Sequence, residues 1–350
     1  AIAEVLKAVV ETKKEELMSL NRRDFIKIMG GTTAAVAFPG VMIQGCKKAL
    51  EKAAERTNII WLEGQSCSGC SVSLLNKLNP DIVSVITEHI SLNYQGVVMG
   101  GTGSAATRVL EEAVKKQRKD FILLVEGSIP TKSDIYCTLG EDEKSHRAIG
   151  VREWVEELGK NAIAIVSIGT CAAYGGIPAA NNRLTNVNPT GAVSVQELFK
   201  GKKNVLNIPG CPPHPDWMVG TLLHLLLKGM PKLDEFNRPV MYYGKTVHEK
   251  CERLSYYKKG IFAKEWGDRG CLYELGCLGM DTGCDIPVRK WNNGAGSCTD
   301  CGSGCIGCTE KVFPEFGRRG IYQRLHADNT TGVNSSRVPG KKVSGGVING

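Results

Sequence analysis

The sequence predicts an α/β protein that begins with a parallel β-sheet and continues into an irregular, cysteine-rich region. Five apolar segments have the length and composition of buried strands, at 58–63, 82–90, 121–125, 162–168 and 205–208. Four helix-like segments lie between them, at 71–78, 105–117, 145–158 and 193–198. This alternation is typical of a doubly wound, flavodoxin-like parallel sheet.

Composition divides the 350 residues into four predicted parts. We expect an N-terminal extension and signal region over 1–57, a flavodoxin-like domain over 58–237, an irregular, cysteine-rich C-terminal domain over 238–316 and a polar, flexible tail over 317–350. Beyond about Arg238 the periodicity fades, so metal ligation rather than a large core is expected to order that part. No apolar run is long enough for a membrane span.

The predicted leader contains the pair Arg22 and Arg23, followed by a weakly apolar stretch that extends to Gly45. This pattern is typical of a twin-arginine export signal, a route that carries folded, cofactor-loaded proteins. Cys46 ends a loose match to a lipoprotein cleavage box and is a candidate for lipid attachment. Export predicts a periplasmic location or one on the outer face of the cytoplasmic membrane.

Fourteen cysteines favour metal ligation over disulfides, because disulfide scaffolds belong mostly to small secreted domains. The net charge of +8 does not indicate a nucleic-acid partner, since no long basic stripe adjoins stacking aromatics.

Four cysteines follow the ends of three predicted strands. Cys67 and Cys70 follow the first strand, Cys171 the fourth and Cys211 the fifth. Ligands of doubly wound sheets bind beyond the carboxyl ends of strands, so these thiols are expected to converge. Four thiolates suit a 4Fe–4S cluster, although zinc accepts the same set. Cys137 is predicted to be a buried thiol and not a ligand.

Two further groups of candidate ligands lie in the C-terminal part. His248, three residues before Cys251, is a plausible ligand together with the cysteines that follow. The first group is His248, Cys251, Cys271 and Cys277; the second is Cys284, Cys298, Cys301, Cys305 and Cys308. A histidine ligand removes negative charge from a cluster and marks a site near the surface.

Together, these residues resemble the small subunit of the nickel–iron hydrogenases. The motifs that carry the resemblance are WLEGQSCSGCSVSLLN, VEGSIPT, GTCAAYGGIPAA, PGCPPHPDWMVGTL, HEKC, CLYELGC and CIGC. The resemblance implies that Cys67, Cys70, Cys171 and Cys211 hold a proximal 4Fe–4S cluster. It implies a distal 4Fe–4S cluster on His248, Cys251, Cys271 and Cys277. It implies a medial cluster on Cys284, Cys305 and Cys308.

The medial cluster type depends on Cys298. Many oxygen-sensitive relatives have proline there and carry a 3Fe–4S cluster, so a cysteine implies 4Fe–4S, as in the nickel–iron–selenium branch. Cys301 is the alternative fourth ligand. Gln65 and Gly69 stand where oxygen-tolerant relatives carry extra cysteines, so conventional proximal chemistry and oxygen sensitivity are expected.

The resemblance implies an oxidoreductase that acts on H2, with the nickel–iron centre in an obligate large subunit. This chain would relay electrons through its clusters to an external acceptor, such as a multihaem cytochrome or a membrane redox subunit. A hydrogen-sensing regulatory subunit is the alternative, disfavoured by Arg22 and Arg23. A respiratory complex I subunit would lack the distal and medial cysteines, and a zinc-stabilised protein would be colourless.

Overall fold

The structure of the chain is a computed structural model that describes residues 57–78, 80–142, 145–181 and 187–315. The predicted leader with Arg22, Arg23 and Cys46, and the predicted tail, lie outside the described residues. Within these ranges, no helix combines the length and apolar character that a membrane crossing requires.

Five parallel strands form the central sheet, in the order β2–β1–β3–β6–β7. They are β1 Thr57–Glu63, β2 Ile90–Gln95, β3 Phe121–Glu126, β6 Ala164–Ile168 and β7 Val205–Ile208. A separate antiparallel pair is formed by β4 Thr138–Glu141 and β5 Ala148–Gly150. The sheet order is that of doubly wound, flavodoxin-like folds, which confirms the predicted fold class.

The strand pairing aligns four strand ends on one line across the sheet. Glu63 pairs with Glu126, Glu126 with Ile168, and Ile168 with Ile208. The chain segments that follow these four strands therefore leave the sheet at the same edge and at the same level.

The helices in the described part of the chain are mostly short. The longest are α3 Ser104–Lys115, α4 Val151–Asn161 and α8 Pro215–Lys228. The others are α1 Gly69–Leu75, α2 Ile82–Ser84, α5 Gly169–Tyr174, α6 Gly176–Ala179, α7 Val195–Leu198, α9 Val240–Tyr243, α10 Val247–Lys250, α11 Leu254–Lys258 and α12 Ile286–Arg289. Two 3-10 helices span Asp134–Tyr136 and Leu272–Leu275, and a π-helix spans Val85–His89.

Two element predictions are wrong. The segment 82–90, predicted as a strand from its β-branched residues, is α2 followed by the π-helix, and β2 begins only at Ile90. The Asp81 side chain accepts a hydrogen bond from the Ser84 amide at 3.0 Å, and this cap starts a helix where composition alone favours a strand. The helix predicted over 145–158 begins at Val151, because 148–150 pairs as β5.

The sheet is covered on both faces, as the alternation of its side chains requires. Ile59 and Trp61 lie in one buried cluster, with residues of α8. Ile60 and Leu62 lie in the other, with residues of α3 and α4. Cys284, Ile286 and Cys305 of the C-terminal region also belong to the first cluster, so this region packs on the face covered by α8.

A buried arginine fastens the C-terminal region to the rest. Arg238 is 5% exposed. Its guanidinium pairs with Asp234 at 2.8 Å and with Glu310 at 3.0 Å, and donates to the Thr309 carbonyl at 3.1 Å. The carboxylates of Asp234 and Glu310 and the carbonyl of Thr309, the residue after Cys308, therefore share one cation as their partner.

Replacing Arg238 by alanine is expected to destabilise the folded chain by about 3–5 kcal/mol, because two largely buried carboxylates lose their partner. Arg118→Ala is the matched control, since Arg118 pairs with the exposed Asp120 and its loss should cost less than about 1 kcal/mol. Denaturant unfolding followed by circular dichroism measures both. Equal effects of the two variants would contradict the role given to Arg238.

Candidate iron–sulfur sites

The proximal set, Cys67, Cys70, Cys171 and Cys211, lies at the carboxyl edge of the sheet. Cys67 and Cys70 follow β1, Cys171 lies in α5 after β6, and Cys211 follows β7. The thiol of Cys70 lies close enough to the other three for each to raise its pKa. The structure therefore brings together the four residues that the sequence predicted to converge.

Glycines allow the close approach of these loops. Gly169 has φ +86°, and a Cβ at this position would lie 2.5 Å from the Cys70 sulfur. A Cβ at Gly176, with φ +54°, would lie 2.9 Å from the Cys171 sulfur. Any side chain would be strained at these dihedral angles and would also push a thiol out of place.

Glu126 organises the loop that carries Cys70. It is the last residue of β3 and is 0% exposed. Its carboxylate accepts hydrogen bonds from the Cys70 amide at 3.1 Å, the Ser71 amide at 3.1 Å and the Ser66 hydroxyl at 2.9 Å. Burial, followed by the charge of Glu126, raises the pKa of the Cys70 thiol far above its usual value.

The distal set, His248, Cys251, Cys271 and Cys277, lines one cavity. A capping box, in which Thr246 and Glu249 bond each other's backbone amides, starts α10 and positions His248. The His248 ring packs edge-on against Tyr257 at 4.5 Å between centroids. Burial lowers the pKa of His248, so the neutral imidazole, which is the form that binds metal, prevails at pH 7.

The medial set comprises Cys284, which comes just before α12, and Cys298, Cys305 and Cys308, which follow that helix in sequence. The thiols of Cys305 and Cys308 raise the pKa of Cys284, and Cys298 raises that of Cys308. Cys301 raises the pKa of the Cys298 thiol, and its sulfur lies 2.7 Å from the point that a Cβ on Gly296 would occupy.

Direct contacts join the medial set to each of the other two. The Thr170 hydroxyl, next to Cys171, donates to the Cys308 carbonyl and accepts from the Gly210 amide at 2.8 Å. On the other side, the Cys305 amide donates to the Cys277 sulfur at 3.2 Å. The medial set therefore lies between the proximal and distal sets.

The chemistry of these residues fits iron–sulfur clusters. None of the described cysteines forms a disulfide. Burial raises the pKa of Cys171 to about 11 and that of Cys308 to about 12, so thiolates at these positions require a bound positive charge at neutral pH.

Among the described residues, no three His, Cys, Asp or Glu side chains are placed to hold a single metal ion. Ligands of one ion must converge on a single point, whereas the four ligands of a 4Fe–4S cluster bind four separate irons.

No local sequence pattern marks two supporting residues, Thr170 and Arg253, because their partners are distant in sequence. Arg253 follows Cys251 and donates to the carbonyls of Thr299 and Gly270. Glu126 had a usable signal: a carboxylate that ends a fully apolar strand, at the edge where the thiols converge, needs hydrogen-bond donors nearby. Cys137, predicted to be buried, is only partly buried, with its sulfur 4.0 Å from the Glu63 carbonyl oxygen.

Comparison with known families agrees with this geometry. Residues 67–225 match the NADH ubiquinone oxidoreductase 20 kDa subunit family. Residues 243–318 match the C-terminal region of the NiFe/NiFeSe hydrogenase small subunit. The first match covers four of the five strands of the sheet and the proximal set; the second covers the distal and medial sets.

Individual relatives extend over most of the chain. The chain is 41% identical to the periplasmic NiFeSe hydrogenase small subunit of Desulfomicrobium baculatum over 85% of its own length and 97% of that relative. It is 37% identical to the hydrogenase-2 small chain of Escherichia coli K12 over 89% of its length and 82% of that relative.

Among solved structures, a reduced, active form of the Ni-Fe-Se hydrogenase from Desulfomicrobium baculatum matches with a TM-score of 0.72 and 41% identity. That match covers 77% of this chain and 100% of the other. The chain belongs to the family of NiFe and NiFeSe hydrogenase small subunits, which confirms the resemblance read from its motifs.

Gly169→Ala is expected to remove roughly four irons per chain from the anaerobically purified protein, because the added methyl group displaces the Cys70 thiol. Gly201→Ala is the control: it has a similar φ of +72° but open space around the added carbon. Iron analysis of both variants makes the comparison. Equal iron loss would assign the effect to backbone strain and not to the thiol.

Proposed function

We propose that this chain is the electron-transferring subunit of a heterodimeric hydrogenase. It relays the electrons of H2 oxidation or proton reduction through three iron–sulfur clusters, between the active site of a large subunit and an external acceptor. The proximal set would hold one 4Fe–4S cluster, the distal set a second and the medial set a third. When bound, the clusters supply one-electron carriers.

The position of the medial set is the observation that carries this proposal. Its residues contact the proximal side through Thr170 and Cys308, and the distal side through Cys305 and Cys277. Three ligand sets in a row, joined by direct contacts, are what a relay requires. A protein that used metal only to stabilise its fold would have no need of this order.

The two ends of the row differ in their surroundings. Next to the proximal set, α1 and the turn after it expose apolar side chains: Val72 is 53% exposed and Leu78 is 55% exposed. An apolar surface beside the exposed Cys67 supports docking of the large subunit there. The distal set includes the partly exposed His248, which supports electron exchange with an acceptor at that end.

This chain's own residues tune the sites by hydrogen bonding and charge. Backbone amides donate to sulfur at Cys251 from Arg253, at 3.4 Å, and at Cys284 from Ile286, at 3.5 Å. Such bonds stabilise negative charge on sulfur and raise the reduction potential. Glu126 has the opposite effect beside Cys70, because its own charge opposes the arrival of an electron.

We propose a 4Fe–4S medial cluster with Cys298 as its fourth ligand. The Cys298 thiol is close enough to Cys308 to raise its pKa, which supports this choice, whereas Cys301 raises the pKa of Cys298 itself. A fourth thiolate lowers the cluster potential towards those of its neighbours, which favours catalysis in both directions.

We also propose a periplasmic location, reached by the twin-arginine pair Arg22 and Arg23. The Desulfomicrobium baculatum relative is named as periplasmic, which supports this placement. A multihaem cytochrome or a membrane redox subunit is the proposed acceptor.

Cys251→Ser in the complex with the large subunit tests the relay. Hydrogen-dependent reduction of an external dye should fall at least about tenfold, because the distal site is impaired. Isotope exchange between D2 and water, which needs no acceptor, should continue. Cys137→Ser is the control and should leave both activities intact. Parallel loss of exchange and dye reduction in Cys251→Ser would argue against a relay role.

Two alanine variants test the medial ligand. Cys298→Ala should produce a strong 3Fe–4S electron paramagnetic resonance signal in the oxidised protein, and Cys301→Ala should not. Wild-type protein prepared without air should lack that signal. A strong signal in the wild type would refute a fourth thiolate, and a signal only in Cys301→Ala would transfer the role to Cys301.

A further inference from the structure

Arg253 lies at the edge of the distal cavity, and no carboxylate of the described residues pairs with it. Its side chain lines the same cavity as His248, Cys251 and Cys271. Its Nε donates to the Thr299 carbonyl at 2.8 Å, and Nη1 donates to the carbonyls of Gly270 at 2.8 Å and Asp268 at 3.4 Å. All three acceptors are backbone oxygens, which orient the guanidinium but do not neutralise it.

The carboxylates near Arg253 are engaged elsewhere. Glu252 accepts from the Ser297 hydroxyl at 3.1 Å. Glu274 pairs with Lys264 at 2.6 Å. The Asp268 carboxylate accepts from the amides of Lys264 and Glu265. Across the described ranges, no ion pair involving Arg253 is present.

A partly buried cation needs negative charge nearby. The thiols of Cys251 and Cys271 line the same cavity as Arg253, and the Arg253 amide donates to the Cys251 sulfur at 3.4 Å. A 4Fe–4S cluster on three thiolates and one neutral imidazole carries a net charge of about −1 when oxidised and about −2 when reduced. A fixed positive charge at this place stabilises the reduced form more.

We propose that Arg253 is the counter-ion of the distal cluster and sets its reduction potential above the value that the ligands alone would give. The inference rests on the proposed function, because it requires a cluster on the distal set. Arg253 acts through charge, and its hydrogen bonds keep that charge in place. The bond to Thr299, next to Cys298, also fastens the distal loop to the medial one.

Substitutions at Arg253 in the complete heterodimer separate charge from geometry. Arg253→Met removes the charge and keeps most of the stem. At a fixed solution potential, its ratio of reduced to oxidised distal cluster should fall roughly tenfold. Arg253→Lys keeps the charge and should stay within about twofold of the wild type. Arg152→Met is the control, since Arg152 pairs with Asp134 outside the three sets.

The measurement is a redox titration followed by electron paramagnetic resonance, with iron analysis of each variant. The proximal and medial clusters should titrate as in the wild type. An unshifted distal cluster in Arg253→Met would overturn the inference, and so would a shift in Arg253→Lys as large as that in Arg253→Met.

A third variant covers the case in which Arg253→Met loses its distal iron. Arg253→Gln is neutral but keeps amide donors, and a lowered distal potential is again expected. A wild-type value in Arg253→Gln would overturn the inference. A wild-type complex with no distal cluster would overturn the proposed function as well, whereas an unshifted Arg253→Met with all clusters present would overturn this inference alone.

Discussion

The register of four parallel strands is the constraint on which the sites depend. Glu63, Glu126, Ile168 and Ile208 pair across the sheet in one line, so the loops after these strands begin side by side. Thiols separated by up to about 140 residues in sequence can then meet without long connections. A slip of one residue in any strand would turn its side chains to the other face and displace the loop that follows.

The C-terminal region packs against the sheet domain. It has little regular structure, yet its Cys284 and Cys305 share a buried cluster with the strands of the sheet. Two contacts connect it to the sheet domain: the Thr170 hydroxyl donates to the Cys308 carbonyl, and Arg238, which pairs with Glu310, also pairs with Asp234. The medial set contacts the proximal set, and the distal set contacts the medial set. The order of the three sites therefore follows from how the C-terminal region packs on the sheet domain.

Much of this arrangement could be predicted from the sequence, for a physical reason. Buried parallel strands are continuous apolar runs, and their alternation with helices predicts the fold class. Residues directly after such strands lie at the same edge of the sheet, which predicts the convergence of Cys67, Cys70, Cys171 and Cys211. The strand prediction for 82–90 was wrong because it rested on the β-branched residues and did not include the helix cap formed by Asp81. Arg253 could not be predicted, since the carbonyls that hold it come from residues 15 to 46 positions away.

Iron counting on the anaerobically purified complex, combined with Mössbauer spectroscopy, tests the central claim most directly. Three 4Fe–4S clusters predict about twelve irons on this chain, besides the metal of the large subunit, and Mössbauer parameters of cubane clusters. Far fewer irons, or zinc bound at these cysteines, would contradict the account.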